Sequence, residues 1–226
     1  MSNQSDRRVV TRACGLALAL AMAGGARRFI PSDYSFDFFK LAEGSNPKAD
    51  WRRRFARLAD EEAGSRIEIV HILQGIFAAR NVLEFLGLVD LTAGVAQLWG
   101  DGNTPMELTT YADTALYTAE AATDSEPLPH KLYVAGDTLS FRELLRTYEE
   151  VKGRTLTIEH KGSLSDLATE ITTRRSTQPQ NLMAWLPLMY AHGVLSGQGR
   201  LGPLENTRYP HIKPASVRDA IASGEI

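Results

Sequence analysis

The pattern with the most explicit chemistry is Gly197-Gln198-Gly199-Arg200-Leu201-Gly202, a G-x-G-x-x-G run with an acidic residue, Asp219, about twenty positions on. Such glycines cradle a pyrophosphate only between a strand and a helix N-terminus, where orphan N–H groups and the helix dipole meet the anion. Here a helical stretch precedes them and Pro203 follows in a loop, so they are read as tight-turn glycines. The five histidines, at 71, 130, 160, 192 and 211, lack metal-ligand spacing, and the single cysteine, Cys14, cannot close an internal disulfide. No metal is expected, and the setting is read as reducing and cytoplasmic. Ser32 and Asp33 follow Pro31 in a turn, and the aromatic residues Tyr34, Phe36, Phe38 and Phe39 are divided between anchoring that loop and facing outward. Asp113 suits the first turn of a helix. Arg52, Arg53, Arg54 and Arg57 read as a solvated helix face, and Trp185 and Met189, four apart, as packing residues able to roof a pocket.

The elements that must position these residues follow from periodicity. The chain has 226 residues, 43% hydrophobic and 23% charged, with 25 basic against 27 acidic side chains, which describes a globular chain with no global field for nucleic acid or an anionic membrane. Arg7 and Arg8 precede an apolar run from Ala13 to Ala23 that is too short to span a bilayer. We read Leu16 to Ala23 as a helix closed by glycine. A second helix covers Asn46 to Ala63, with Trp51, Phe55 and Leu58 inward. Ile67 to Leu73 is a strand buried on both faces, ended by Gln74-Gly75. A helix is expected from Ile76 to about Val89, and a hairpin from Val95–Trp99 and Met106–Thr109 across Gly100-Asp101-Gly102-Asn103. Tyr111 to Asp124 is helical, Lys131–Val134 a strand, and Thr155–Glu159 another. Capping boxes at Ser140/Glu143 and Ser163/Asp166 start helices reaching Lys152 and Arg175. Pro179 opens the last amphipathic helix, to about Val194, and all beyond Ser196 reads as loop.

Strands alternating with helices predict an α/β fold with a mainly parallel sheet. Along the chain, Arg28-Phe29-Ile30-Pro31-Ser32-Asp33-Tyr34, Gln74-Gly75-Ile76-Phe77 and Trp99-Gly100-Asp101-Gly102-Asn103 come in order. Asp113-Thr114-Ala115-Leu116-Tyr117, Ala135-Gly136-Asp137, Ser140-Phe141-Arg142-Glu143 and Gly162-Ser163-Leu164 follow, then Ser196 to Gly199 and Asn206 to Pro210. In order and spacing this series resembles the NmrA-like family of atypical short-chain dehydrogenase/reductases, with their isoflavone-reductase-like relatives, from about residue 16 almost to the end.

The resemblance implies a partial Rossmann-like parallel sheet, the C-terminal half of one, with a smaller α+β substrate lobe. Residues 1–15 stay unassigned, and 16–226 form one NmrA-like domain without the glycine-rich N-terminal half. It implies NADP or NAD as cofactor, bordered by Pro31, Ser32, Asp33, Gln74 and Gly75, and a substrate pocket formed by Phe36, Arg53, Phe77, Trp185 and Met189. The activity it implies is reduction of a small carbonyl, enone or quinone substrate; the alternatives are a non-catalytic dinucleotide-sensing module and an inactive gene fragment. The expected partners are a small-molecule substrate and a second copy covering an exposed sheet edge, not nucleic acid or membrane. The isoflavone-reductase-like enzymes carry a lysine on the helix after the proline-serine loop, but Asp50 to Arg57 contains none. Arginine is too basic to donate a proton at neutral pH, so proton transfer falls to Tyr34 or water.

Overall fold

The computed structural model describes residues 14–226. The charged segment with Arg7 and Arg8, and most of the unassigned stretch 1–15, lie outside the described residues. The first element is a helix over 14–23 (α1), ended as read by Gly24 and Gly25; Gly25 takes φ +72° and Ala26 N–H closes onto Ala21 O at 2.9 Å. Strand β1 (Arg28–Phe29) follows, then α2 (Pro47–Ala63), begun by Asn46, whose side chain accepts from Lys48 N and Ala49 N. The face α2 buries is Ala49, Phe55, Ala56, Ala59 and Ala63; of the expected stripe Trp51, Phe55 and Leu58, only Phe55 is buried. Leu58 is exposed and Trp51 half-buried, because alanines let this helix lie close against the sheet and push the larger side chains to its rim.

The strand over 67–73 is present as β2 (Glu68–Ile69) and β3 (His71–Leu73). β1 pairs parallel with β2, and β3 pairs parallel with β8 (Lys131–Tyr133). Side chains alternate across this small parallel sheet: Ile69 joins Phe55 and Phe29 on the α2 side, whereas Val70 and Ile72 pack with Tyr117 and Ala121 of α4 (Tyr111–Thr123). Helices therefore cover both faces, as a parallel sheet requires.

After Gln74 the expected long helix gives way to β4 (Ile76–Phe77), a short α3 (Arg80–Phe85) and β5 (Val89–Asp90). Gly75, at φ +79°, redirects the chain so that Ile76 and Phe77 pair parallel with Leu108 and Thr109. A Cβ at Gly75 would sit 2.0 Å from Glu107 O, so only glycine fits. The strands β6 (Val95–Trp99) and β7 (Pro105–Thr109) form no hairpin. Their connection is tied to α5 (Phe141–Lys152), where Arg142 N–H donates to Gly102 O at 3.1 Å, and they diverge into two sheets. β6 pairs with β5 and β10 (Thr157–Gly162), and β7 with β4 and β9 (Asp137–Ser140).

These two sheets, α3, α5, α6 (Leu164–Thr177), α7 (Leu182–Leu195) and α8 (Val217–Ser223) build the second lobe. Both capping boxes are present, at Ser140/Glu143 and Ser163/Asp166. The last stretch is not all loop: Ser216 and Asp219 form a third box that starts α8, a helix hidden by the Gly- and Pro-rich composition around it. α7 starts at Leu182 rather than at Pro179, contains Pro187, and buries residues around most of its circumference instead of one stripe. No helix among the described residues is long and apolar enough to cross a membrane.

Candidate functional site

The carboxyl ends of β1, β3 and β8 point the same way, and the loops leaving them carry Pro31 to Phe39, Gln74-Gly75 and Ala135-Gly136. The first loop is pinned by backbone bonds, with Gln74 N–H donating to Ser35 O at 3.1 Å and Asp37 N–H to Gly199 O at 2.8 Å. Asp37, fully buried, caps the short 3-10 turn Phe38–Lys40, accepting from Phe39 N at 3.1 Å and from the Tyr133 phenol at 2.7 Å. Lys131 Nζ stands 3.6 Å from the same carboxylate. Burial, then the bond to Asp37, pushes the Tyr133 phenol well above its ordinary pKa, so it remains a donor.

Within this frame a polar chain runs from the sheet to the surface. His71, fully buried on the α2 side of β3, packs edge-on against the rings of Phe39 (5.1 Å) and His130 (4.8 Å). Its Nδ1 lies 2.5 Å from Asp33 Oδ2; since the carboxylate accepts, Nδ1 carries the proton. His71 Nε2 is buried without a partner among the described residues. Asp33 is itself buried, and its other oxygen lies 3.6 Å from Arg52 Nε on α2. Arg52 Nη1 in turn donates to the Tyr190 hydroxyl on α7 at 3.2 Å and its guanidinium faces the Phe38 ring. The Tyr190 ring stands 5.8 Å from Phe36 and 6.3 Å from Phe85 on α3. Three helices from two lobes thus converge on Arg52 and Tyr190, above the carboxyl end of the parallel strands. In open α/β sheets this is where ligands bind.

The residues singled out from sequence are only partly brought together. Pro31 is buried, Ser32 exposed at the rim, and Asp33 in the chain just described. Gln74 is fully buried, and neither side-chain amide atom has a partner. Phe36 is buried beneath Gly193 and Gly199, and the space behind it, bordered by Gly75, Glu107 and Arg200, is only about 10 Å³. Phe77 stacks on Tyr111 at 4.1 Å. Arg53 turns back to bind Phe38 O, Leu41 O and Asp50, which pins the loop after β1 rather than facing the mouth. Trp185 lies in the α6–α7 interface, bonded to Gln178 O. Met189 borders a void of about 30 Å³, room for a water and no more. Tyr34 lies on the other side of the sheet, its hydroxyl accepting from Thr118 of α4 at 3.2 Å.

Gly197 to Gly202 cradles nothing. The ring of Phe36 fills the place a Cβ on Gly199 would need, and the ring of Tyr133 does the same at Gly202. Asp219 is spent in the α8 capping box. Three members of the polar chain, Arg52, His71 and Tyr190, were not singled out as site residues. The one signal was His71 itself, a polar side chain inside an otherwise apolar run. Spacing alone does not distinguish Arg52 from Arg53.

No family model matches the sequence. Among curated proteins it is 29% identical over 147 residues to a bifunctional pinoresinol-lariciresinol reductase of Linum perenne, covering 62% of this chain and 46% of the relative. It is 31% identical over 148 residues to an isoflavone reductase homologue of Zea mays, covering 63% and 47%. The chain spans about half the length of these relatives. Its fold matches a leucoanthocyanidin reductase–NADPH complex of Vitis vinifera with a TM-score of 0.74 at 20% identity, over 92% of this chain and 68% of that one. A solved isoflavone reductase gives 0.71 at 17% identity, over 89% and 66%. The fold is that of a Rossmann-like reductase with a second lobe. These relatives and the fold agree with the resemblance to the NmrA-like, isoflavone-reductase-like proteins.

Proposed function

We propose that this chain forms the nicotinamide and substrate side of an NAD(P)H-dependent reductase of small carbonyl, enone or quinone compounds, working in the cytoplasm. The observation that carries this reading is the charged side chain of Arg52, held by the buried Asp33–His71 pair at the carboxyl end of the parallel strands, beside a phenol from the second lobe. A fixed cation there is suited to the oxygen of a carbonyl as it gains negative charge. The names of the relatives, a bifunctional pinoresinol-lariciresinol reductase and an isoflavone reductase homologue, and the NADPH in the leucoanthocyanidin reductase complex support the same direction.

The residues present fit one part of the cofactor. Gln74, with a buried amide donor and acceptor both unpaired, suits the carboxamide of a nicotinamide, with Pro31, Ser32, Asp33 and Gly75 around it. The pyrophosphate side has no counterpart among the described residues, where no glycine-rich turn joins a strand to a helix N-terminus; between β10 and α6 Gly162 stands alone, and Ser163 and Asp166 there bond each other in a capping box. When bound, the dinucleotide supplies a hydride. The chain's own residues orient the acceptor, with Phe36 and Phe77 bordering it and Arg53, Trp185 and Met189 bracing the loop and α7 from behind.

Fluorescence or calorimetric titration with NADPH and NADH tests the proposal, followed by turnover of a quinone and enone panel. A saturable signal with hydride transfer is expected, and no saturable signal with either dinucleotide sinks the reading. The tight packing behind Phe36 and beside Met189 favours a second reading, a dinucleotide-sensing module, which predicts saturable binding with no turnover. The outer edge of β1, which among the described residues pairs only with β2, is where a second copy is expected to add; sedimentation showing a monomer at all concentrations would remove that expectation.

A further inference from the structure

We propose that Tyr190 is the proton donor of the reductase site, with Arg52 as its polarising partner and Asp33 and His71 as the pair that positions Arg52. The inference rests on the reductase reading and assigns the step that reading leaves open. An arginine side chain is too basic to serve as the proton donor near neutrality. Arg52 donates instead to the oxygen of Tyr190, at 3.2 Å, so the phenol accepts from a cation while its own O–H has no acceptor among the described residues. Hydrogen bonds in series strengthen one another, and a phenol that accepts a charged N–H becomes a better donor. Half-buried on α7, Tyr190 stands at the junction of α2, α3 and α7 rather than inside the core.

The step balances. A bound dinucleotide would supply the hydride to the electrophilic carbon of the substrate; as the carbonyl or enone π pair moves onto oxygen, that oxygen takes the proton of Tyr190. The phenolate left behind is stabilised by the Arg52 guanidinium and regains a proton from solvent. Asp33 holds Arg52 from the opposite side at 3.6 Å, and His71, whose Nδ1–H bonds Asp33 at 2.5 Å, keeps that carboxylate aimed. Phe36 and Phe85 flank Tyr190, at 5.8 and 6.3 Å between ring centroids, and suit a flat aromatic carbonyl compound. The competing view is that Arg52 and Tyr190 merely brace α2 against α7. Of the other phenols near the site, Tyr133 donates its proton to Asp37 and Tyr34 is bonded to Thr118 on the far side of the sheet.

The test uses the full chain and 4-hydroxybenzaldehyde labelled with 13C at its carbonyl. Saturable binding with the carbonyl infrared band shifted to lower frequency is expected, and the shift is lost in Tyr190→Phe. With NADPH, Tyr190→Phe lowers kcat about 100-fold or more while KM changes little, the size expected for a lost general acid. Arg52→Lys retains more activity than Arg52→Gln, and His71→Asn shifts the pH profile of kcat without abolishing turnover. A mere brace predicts loss of stability in Arg52→Gln with an unshifted carbonyl. An unshifted band in the wild type, no binding of the aldehyde, or Tyr34→Phe losing kcat while Tyr190→Phe keeps it would each overturn the assignment. Absence of a saturable NADPH signal fells the reductase reading instead, and the carbonyl band still decides the role of Tyr190.

Discussion

The two faces of the strand over 68–73 are built on opposite plans. On the α4 side the charged groups close onto local partners, although the buried Tyr117 hydroxyl has none among the described residues: Arg28, its side chain almost fully buried, bonds Glu68, the carbonyls of Ala121 and Asp124 at the end of α4, and Glu126 O. Asp124 accepts from Arg208 and from the Tyr209 phenol, and Tyr34 accepts from Thr118. On the α2 side a polar chain of similar size ends open, at the Tyr190 hydroxyl, and leaves His71 Nε2 without a partner. A closed network holds helices on a sheet. An open one, costly to bury, is retained where something must be bound.

The largest expected effect comes from the open side. Asp33→Ala leaves Arg52 and His71 facing each other with no carboxylate between them, and urea unfolding should show a loss of about 3–5 kcal/mol, as when one partner of a buried pair is removed. A loss under about 1 kcal/mol would mean that the pair is already solvated. On the closed side Arg28→Ala removes several bonds to α4 carbonyls, and about 2–3 kcal/mol is expected from the same measurement.

The pH dependence of unfolding separates the faces further. The hydrogen bond from Arg208, with the backbone bond from Glu126 next, holds the Asp124 carboxyl well below its ordinary range. A depressed carboxyl stabilises the fold above the unfolded pKa near 3.8, and that contribution is lost as pH falls through the folded value. Tyr209 has the opposite sign. Burial and the bond to Asp124 push its phenol up to about 12, so its contribution is full below pH 10 and is lost as pH rises toward 12. Melting temperature against pH should therefore fall at both extremes, and Asp124→Asn should flatten both arms; unchanged arms would show that the cluster does not titrate with folding. Smallest of all, Tyr34→Phe removes one bond between neutral groups, and less than about 1 kcal/mol is expected in thermal unfolding. A larger loss would make the Thr118 contact a main tie of α4 to the loop.

Local signals were legible where the physics is local. Ser140 with Glu143 and Ser163 with Asp166 announce helix starts because the bonds span three residues, and the apolar run ending at Leu73 announces a covered parallel strand. The false hairpin shows the limit: Gly100 and Gly102 do turn the chain, but β6 pairs with β5 just before it and with the distant β10, β7 pairs with β4 and β9 tens of residues away, and α5 pulls the connection aside. At the site, Asp33 and Gln74 were readable as loop residues behind strands. That Arg52 rather than Arg53 faces Asp33 was not, since adjacent helical residues differ by about 100° of rotation and only the packed position of α2 decides which one points at the sheet.

By itself, then, the sequence determined the α/β alternation, the helix caps, the turn at Gly75 and the likeness to isoflavone-reductase-like proteins, all carried by short-range spacing or by motifs in order. Only the tertiary structure decided that Tyr34 and Tyr190 lie on different sides of a strand, that Gly199 and Gly202 make room for Phe36 and Tyr133 instead of a phosphate, and that His71, Asp33 and Arg52 form one chain. Those contacts join residues that are far apart in sequence. They arise only when both lobes close over the sheet, so no local pattern records them.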